Sequence, residues 1–110
     1  MKDMNTKIQE MQLIEQNLQN ILLQKQAFQM ELSETQSALE EIEKSGEEIF
    51  KIIGQLMIKT DKLGVKEELS NKEKILGLRM KTIEKQEKSL AEKLEANREE
   101  ILKEREKSKK

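Results

Sequence analysis

The chain has 110 residues, of which 39% are charged and 35% apolar, and it contains no His, Cys, Trp, Tyr or Pro. The lack of His and Cys removes the commonest general base, the thiolate nucleophile and the usual zinc ligands, so neither an enzyme nor a cofactor-binding or metal-binding protein is expected. The 21 basic and 22 acidic residues give a net charge of −1, and two Phe offer little surface for stacking bases, which argues against a nucleic-acid partner.

The first segment, from about residue 3 to residue 45, reads as six heptads in which nine of twelve seam positions are apolar. Its a positions are Met4, Met11, Leu18, Lys25, Leu32 and Leu39, and its d positions are Lys7, Ile14, Ile21, Phe28, Thr35 and Ile42. Ile8 and Leu22, both at position e, are expected to widen the apolar stripe. Gly46 is well placed to end this helix, because glycine is the usual residue just beyond a helix C-terminus.

The second segment, over residues 65–107, has seven apolar residues at ten seam positions. Its d positions are Leu69, Leu76, Ile83, Leu90 and Asn97, and its a positions are Glu73, Met80, Glu87, Leu94 and Ile101. Two helical segments of similar length joined by a short connection predict an antiparallel coiled coil. The polar seam residues Lys25, Glu73 and Glu87 are interpreted either as register control or as a locally open seam.

The insert between the helices, over residues 47–62, predicts a single β-hairpin. Two β-rich runs flank the turn signal Gly54-Gln55. The apolar residues of the insert are Ile49, Phe50, Ile52, Ile53, Leu56, Met57 and Ile58. They fall on both faces, so an isolated hairpin would aggregate unless other subunits covered it, for example by joining strands into a barrel. The alternative is a loop that packs back on its own helices.

The layout of long helix, β-hairpin and long helix resembles the β class of the prefoldin family, and local strings strengthen the resemblance. They are Gln24-Lys25-Gln26 and residues 34–41 in the first helix, residues 54–58 in the insert, and residues 78–87 in the second helix. The resemblance covers roughly Ile8 to Leu94. The presence of one hairpin rather than two resembles the β class of the family and not the α class.

The resemblance implies an ATP-independent chaperone of the cytoplasm, without cofactors, that forms a hexamer of two α-class and four β-class subunits. In that family the hairpins build a double β-barrel platform, and the helix ends hold unfolded polypeptides and deliver them to a group II chaperonin. The client-binding candidates at the helix ends are Met4, Ile8, Met11, Leu94, Ile101 and Leu102. The seam residues among them also suit ordinary packing. From Arg98 onward there are six basic and four acidic residues, so the acidic tail of the family is absent.

Two other functions fit the composition less well. A structural coiled-coil scaffold, or a subunit that docks a partner, would use the same seam and insert without capturing unfolded chains. A helix lying on a membrane is disfavoured because the polar face carries both signs of charge and aromatic anchors are missing. The N-terminus lacks the apolar run of a signal peptide, and no stretch has the length needed to span a membrane.

Overall fold

The computed structural model describes residues 3–108, which form two helices with a two-stranded sheet between them. Helix α1 spans Met4–Lys44, strand β1 Ile49–Ile53, strand β2 Leu56–Thr60 and helix α2 Lys62–Ser108. This order confirms the predicted fold class, a long two-helix coiled coil with a single hairpin inserted between the helices. Lys109 and Lys110, which belong to the predicted basic C-terminal segment, lie outside the described residues.

The chain divides into two compact units. The hairpin unit is Ala27–Met80, and it holds both strands together with the end of α1 and the start of α2. The terminal unit, described over residues 3–26 and 81–108, holds the start of α1 and the end of α2.

Both ends of α1 are closed by local hydrogen bonds. The Thr6 N–H donates to Asp3 Oδ1 at 2.8 Å, which is the N-cap arrangement, and this bond holds the pKa of Asp3 below its ordinary value. At the C-terminus the Ser45 N–H and hydroxyl both donate to the carbonyl of Ile42, at 3.2 and 2.8 Å. Gly46 does not have a positive φ. The helix therefore ends where the sequence predicts, but the capping residue is Ser45 rather than a left-handed glycine.

Helix α2 begins at Lys62, three residues earlier than the sequence predicts. Asp61 is its N-cap, because its Oδ2 accepts a hydrogen bond from the Gly64 N–H at 3.2 Å and its carbonyl accepts one from Val65 at 3.0 Å. Gly64 precedes the predicted helix, which begins at residue 65, and glycine is a poor helix former. In the structure it lies in the first turn, where the aspartate cap offsets that preference.

The heptad assignment agrees with burial throughout the described helices. Every assigned a and d residue is buried or half-buried, and the most buried seam residues are Thr35, Leu76, Met80 and Ile83. Burying a side chain of the size of Leu or Ile contributes about 1.5–3 kcal/mol, so this seam is the main source of stability for two helices that expose most of their other positions. Leu22 is 45% exposed, so at this e position the apolar stripe is narrower than predicted.

Three polar residues of the seam, Lys25, Glu87 and Thr35, have partners inside the protein. In the terminal unit Lys25 Nζ lies 3.3 Å from Glu87 Oε1, and both side chains are largely covered. In the hairpin unit the Thr35 hydroxyl donates to the carbonyl of Glu31 at 2.8 Å. The Lys25–Glu87 pair supports register control rather than an open seam, because sliding one helix would set each charge against apolar neighbours.

Ion pairs between the helices show the antiparallel register in each unit separately. In the terminal unit Glu15 Oε1 lies 3.7 Å from Arg98. Lys25, which comes later in α1, pairs with Glu87, which comes earlier in α2, so the two helices run in opposite directions. In the hairpin unit Glu31 Oε1 lies 3.3 Å from Lys72, and Glu43 pairs with Lys66.

The strands pair antiparallel around a two-residue loop, Gly54-Gln55, with Ile53 opposite Leu56 and Ile52 opposite Met57. Gly54 has a φ of 61°, and no other described residue has a positive φ. A positive φ at the first central residue alone fits a type II′ turn, which matches the twist of the two strands and favours glycine at that position.

We expect replacement of one partner of the Lys25–Glu87 pair to destabilise the protein, and replacement of both partners by apolar residues to be tolerated. Lys25→Leu leaves Glu87 largely covered without its cation and should lower the free energy of unfolding by about 1–2 kcal/mol. The double variant Lys25→Leu with Glu87→Leu should be at least as stable as the original chain. Thermal unfolding followed by circular dichroism measures both. A single variant as stable as the original chain would contradict this role.

The turn offers a test with a matched control. Gly54→Ala should cost about 1–2 kcal/mol, because an L side chain at positive φ is strained although no neighbouring atom lies within 4 Å of the added Cβ. Gly46→Ala adds the same methyl group into equally open space without a positive φ and should change stability little. Denaturant unfolding compares the two, and equal losses would exclude backbone strain as the cause.

Candidate functional site

The hairpin exposes most of the apolar residues that the sequence assigns to oligomerisation. Ile49 is half-buried, whereas the other six are exposed: Phe50, Ile52, Ile53, Leu56, Met57 and Ile58. Ile52 and Met57 are 70% and 68% exposed although they face each other across the strands. The alternative of a loop packed back on its own helices therefore does not hold for these six residues.

The exposed side chains lie on both faces of the two-stranded sheet. Cross-strand partners share a face and neighbours along a strand alternate, so Ile52 and Met57 lie on one face and Ile53 and Leu56 on the other. Each strand pairs only with the other, so each also has one unpaired edge. Two apolar faces and two open edges form a surface suited to strands from other chains.

Polar contacts join neighbouring elements of the hairpin unit. Lys51 Nζ of β1 donates to the Glu68 carboxylate of α2 at 3.2 and 3.4 Å, which ties the sheet to a helix. Lys62 Nζ of α2 donates to the carbonyl of Ser45, just after α1, at 2.9 Å, and Lys59 lies 3.7 Å from Glu48 within the insert. Because most of these groups are exposed, each contact is worth little by itself.

In the terminal unit the start of α1 lies beside the end of α2. Lys7, at a d position of the seam, pairs with Glu104 and lies 3.9 Å from Glu100. The hydrogen bond with Glu104 raises the pKa of Lys7 above its ordinary value. The pair therefore stabilises the folded state fully below the ordinary lysine pKa, and the contribution is lost as the pH rises through the raised pKa.

The client-binding candidates of the sequence differ in exposure. Leu102 is 57% exposed, whereas the other five are half-buried: Met4, Ile8, Met11, Leu94 and Ile101. Four of those five are at position a, which explains their partial burial. The half-buried Met4 and Met11 flank Lys7, whose contacts with α2 bring the two helix ends together.

Three exposed leucines of the terminal unit were not among the predicted site residues, namely Leu13, Leu22 and Leu23. Leu13 is 57% exposed, as much as Leu102. Their position outside a and d was the available signal, because an apolar residue off the seam of a two-helix coiled coil has no second helix to cover it. The predicted client-binding candidates lie near the ends of the helices instead.

Within residues 3–108, no group of three or more acidic side chains is arranged to hold a metal ion. No described helix combines the length and the apolar character that crossing a bilayer requires.

Comparison with known proteins gives a consistent family assignment. A family model described as prefoldin subunit matches residues 5–108. The chain is 49% identical to the prefoldin subunit beta of Thermococcus onnurineus over 82 residues, which cover 73% of this chain and 71% of that protein. It is 40% identical to the prefoldin subunit beta of Pyrobaculum islandicum over 93 residues, which cover 83% and 74% of the two chains.

A solved structure agrees in fold as well as in sequence. The crystal structure of the prefoldin beta subunit from Thermococcus strain KS-1 is similar with a TM-score of 0.82 and 35% identity, covering 89% of this chain and 88% of the other. The element order agrees with the family model, which matches residues 5–108: two long helices with a single hairpin between them. This chain belongs to the prefoldin family, a family of chaperones, and its relatives there are β subunits.

Proposed function

We propose that this chain is a subunit of an ATP-independent holdase that captures unfolded polypeptides at the ends of its helices. The observation that carries the proposal is the set of apolar side chains in the terminal unit, where the exposed Leu102 and Leu13 accompany half-buried methionines at the start of α1. Exposed apolar residues near seam residues offer weak contacts to many sequences, and the flexible Met side chain adapts to irregular partners.

Assembly with α-class subunits and further copies of this chain, as a hexamer of two α and four β, completes the proposal. The two apolar faces and open edges of the hairpin support it, because neighbouring strands would cover both and form the barrel platform that the family resemblance implies. Several helix ends holding one client raise the effective concentration, so each contact can be weak while capture is tight.

Transfer of the client to a group II chaperonin in the cytoplasm is the last element of the proposal, and it rests on family membership. The basic-leaning segment from Arg98 onward sets this chain apart from the acidic tail of the family pattern. Residues 98–110 would then not serve as an acidic docking segment for the chaperonin.

The scaffold function is the second candidate, and the double variant Ile8→Ser with Leu102→Ser separates the two. Removing two apolar contacts should weaken client capture at least about tenfold, because burial of even one such side chain contributes on the order of 1.5–3 kcal/mol and each 1.4 kcal/mol is a factor of about ten. Light scattering of a chemically denatured model protein diluted into buffer with the assembled complex measures capture, and native mass spectrometry measures the oligomeric state.

The control for capture is Ile75→Ser, which removes a half-exposed apolar side chain from the hairpin unit. It should leave both capture and oligomeric state unchanged. If the double variant suppresses aggregation as well as the original chain, the scaffold function is favoured. If the original complex does not suppress aggregation at equal molarity, the holdase proposal is wrong.

Assembly has its own test at the hairpin. Ile52→Ser with Met57→Ser removes the paired apolar side chains of one face and should prevent formation of the hexamer, as measured by native mass spectrometry with an α-class partner. Lys59→Ser, a charged residue on the same face, is the matched control and should assemble normally. A hexamer from the double variant would contradict the role of this face.

A further inference from the structure

The start of α1 carries a residue pattern that neither the seam nor the exposed leucines explain. Residues 5–26 contain nine Asn or Gln and four charged residues, whereas residues 81–108 of the same unit contain two Asn or Gln and sixteen charged residues. Any polar side chain would serve on the solvent side of a coiled coil, and α2 uses charges there. Exposure to solvent alone therefore does not explain why α1 carries neutral amides where α2 carries charges.

Part of this amide set lines a shallow groove of about 440 Å³ along one flank of the terminal unit. Asn17, Asn20 and Gln24 of α1 and Gln86 and Ser89 of α2 line the groove, and the half-buried seam residues Ile21 and Leu90 form its apolar floor. We call this surface the amide flank. It carries one charged residue, Lys93.

A second groove, of about 330 Å³, adjoins the first and shares Lys93 with it. Its lining includes the exposed Leu13, the seam residue Ile14 and Ala96, with Glu10 as the other charge. From Glu10 to Gln24 the two grooves follow about 21 Å of helix, which matches about six residues of extended chain. The amide flank is therefore continuous with one of the most exposed leucines of the terminal unit.

The amides of the flank have unused hydrogen-bonding capacity. Asn17, Asn20 and Gln24 are exposed, and their side chains make no hydrogen bond with any other residue in the described part of the chain. Each amide offers two N–H donors and a carbonyl acceptor. The backbone of an unfolded polypeptide presents the complementary N–H and C=O groups at every residue except proline.

Neutral side chains suit this task better than charged ones. Covering a charge costs far more than covering an amide that finds a new hydrogen-bond partner, and a charge also repels clients of its own sign. The opposite flank of the same unit carries the Glu15–Arg98 ion pair, at 3.7 Å, so the two sides of the coiled coil differ in chemistry.

We propose that the amide flank is a docking groove for an extended segment of unfolded polypeptide. The side-chain amides of Asn17, Asn20 and Gln24 hold this segment by donating to its backbone carbonyls and accepting from its backbone N–H groups. This inference rests on the proposed holdase function and adds a mode of recognition to it. The apolar floor and Leu13 contact client side chains, while the amides bind the main chain, which is the same in every client.

The test compares two charge-matched variants of the full chain, assembled with an α-class partner. The flank variant is Asn17→Asp, Asn20→Asp and Gln24→Glu, which replaces each amide by a carboxylate of nearly the same shape. The control variant is Gln12→Glu, Gln16→Glu and Gln19→Glu, which adds the same charge at exposed positions outside both grooves. Circular dichroism and native mass spectrometry verify that both variants fold and assemble.

The probe is a short uncharged peptide of Val, Thr and Leu with a fluorescent label, together with the same peptide methylated at alternate backbone nitrogens. Methylation removes backbone donors and leaves the side chains unchanged. Fluorescence anisotropy should show about tenfold weaker binding of the methylated peptide to the original complex and to the control variant. The flank variant should bind the unmodified peptide about tenfold more weakly, because its carboxylates cannot donate to backbone carbonyls. Methylation should still weaken its binding, because carboxylates accept from backbone N–H groups.

Four results would overturn the inference: no effect of methylation on the original complex, equal loss of binding in the two variants, unchanged binding in the flank variant, or a flank variant that does not assemble. The last of these would show that the flank is a contact between subunits. Loss of peptide binding by the original complex itself would instead overturn the holdase proposal. Binding that is unchanged in the flank variant would overturn only the docking groove.

Discussion

The apolar seam between α1 and α2 is the interaction on which the other features of this protein depend. Neither helix can cover its own stripe, and neither would be stable alone in water, so each becomes stable by covering the stripe of the other. The seam residues Leu76, Met80 and Ile83 are the buried apolar side chains of the described chain. A seam of this kind is tolerant of sliding, and its polar positions restrict the sliding. Lys25 with Glu87, and Lys7 with Glu104, allow one alignment of the two helices.

The helices of the hairpin unit also determine what the hairpin can do. A two-stranded sheet of five-residue strands is marginally stable in water, and here it is attached to helices that are already paired. Asp61 starts α2 directly after β2, and the contact of Lys51 with Glu68 ties the first strand to the second helix. The helices orient the sheet without covering it. Both faces and both edges therefore stay open to other chains, which is a liability for an isolated subunit and an advantage for one that assembles.

The two units present exposed surfaces of different chemistry. The hairpin unit presents β-branched and other apolar side chains on a sheet, a surface that fits regular strand pairing with defined partners. The terminal unit presents single leucines among amides, a surface that fits weak and sequence-tolerant contacts. Family membership places both surfaces in one prefoldin subunit. Under the proposed function, the side of the coiled coil that is rich in amides meets the client.

The helices, the heptad positions, the turn and the exposed hairpin can be predicted from the sequence, because each depends on local periodicity or on short-range turn chemistry. The sequence also showed that the insert could not bury itself, since the apolar residues outnumber the positions that one face can hide. The partner of Lys25 and the degree of exposure of Leu22, by contrast, follow from the tertiary structure. Those features depend on which residues of two distant segments lie side by side. A repeating heptad allows several alignments of the helices, and the structure shows the one that pairs the charges.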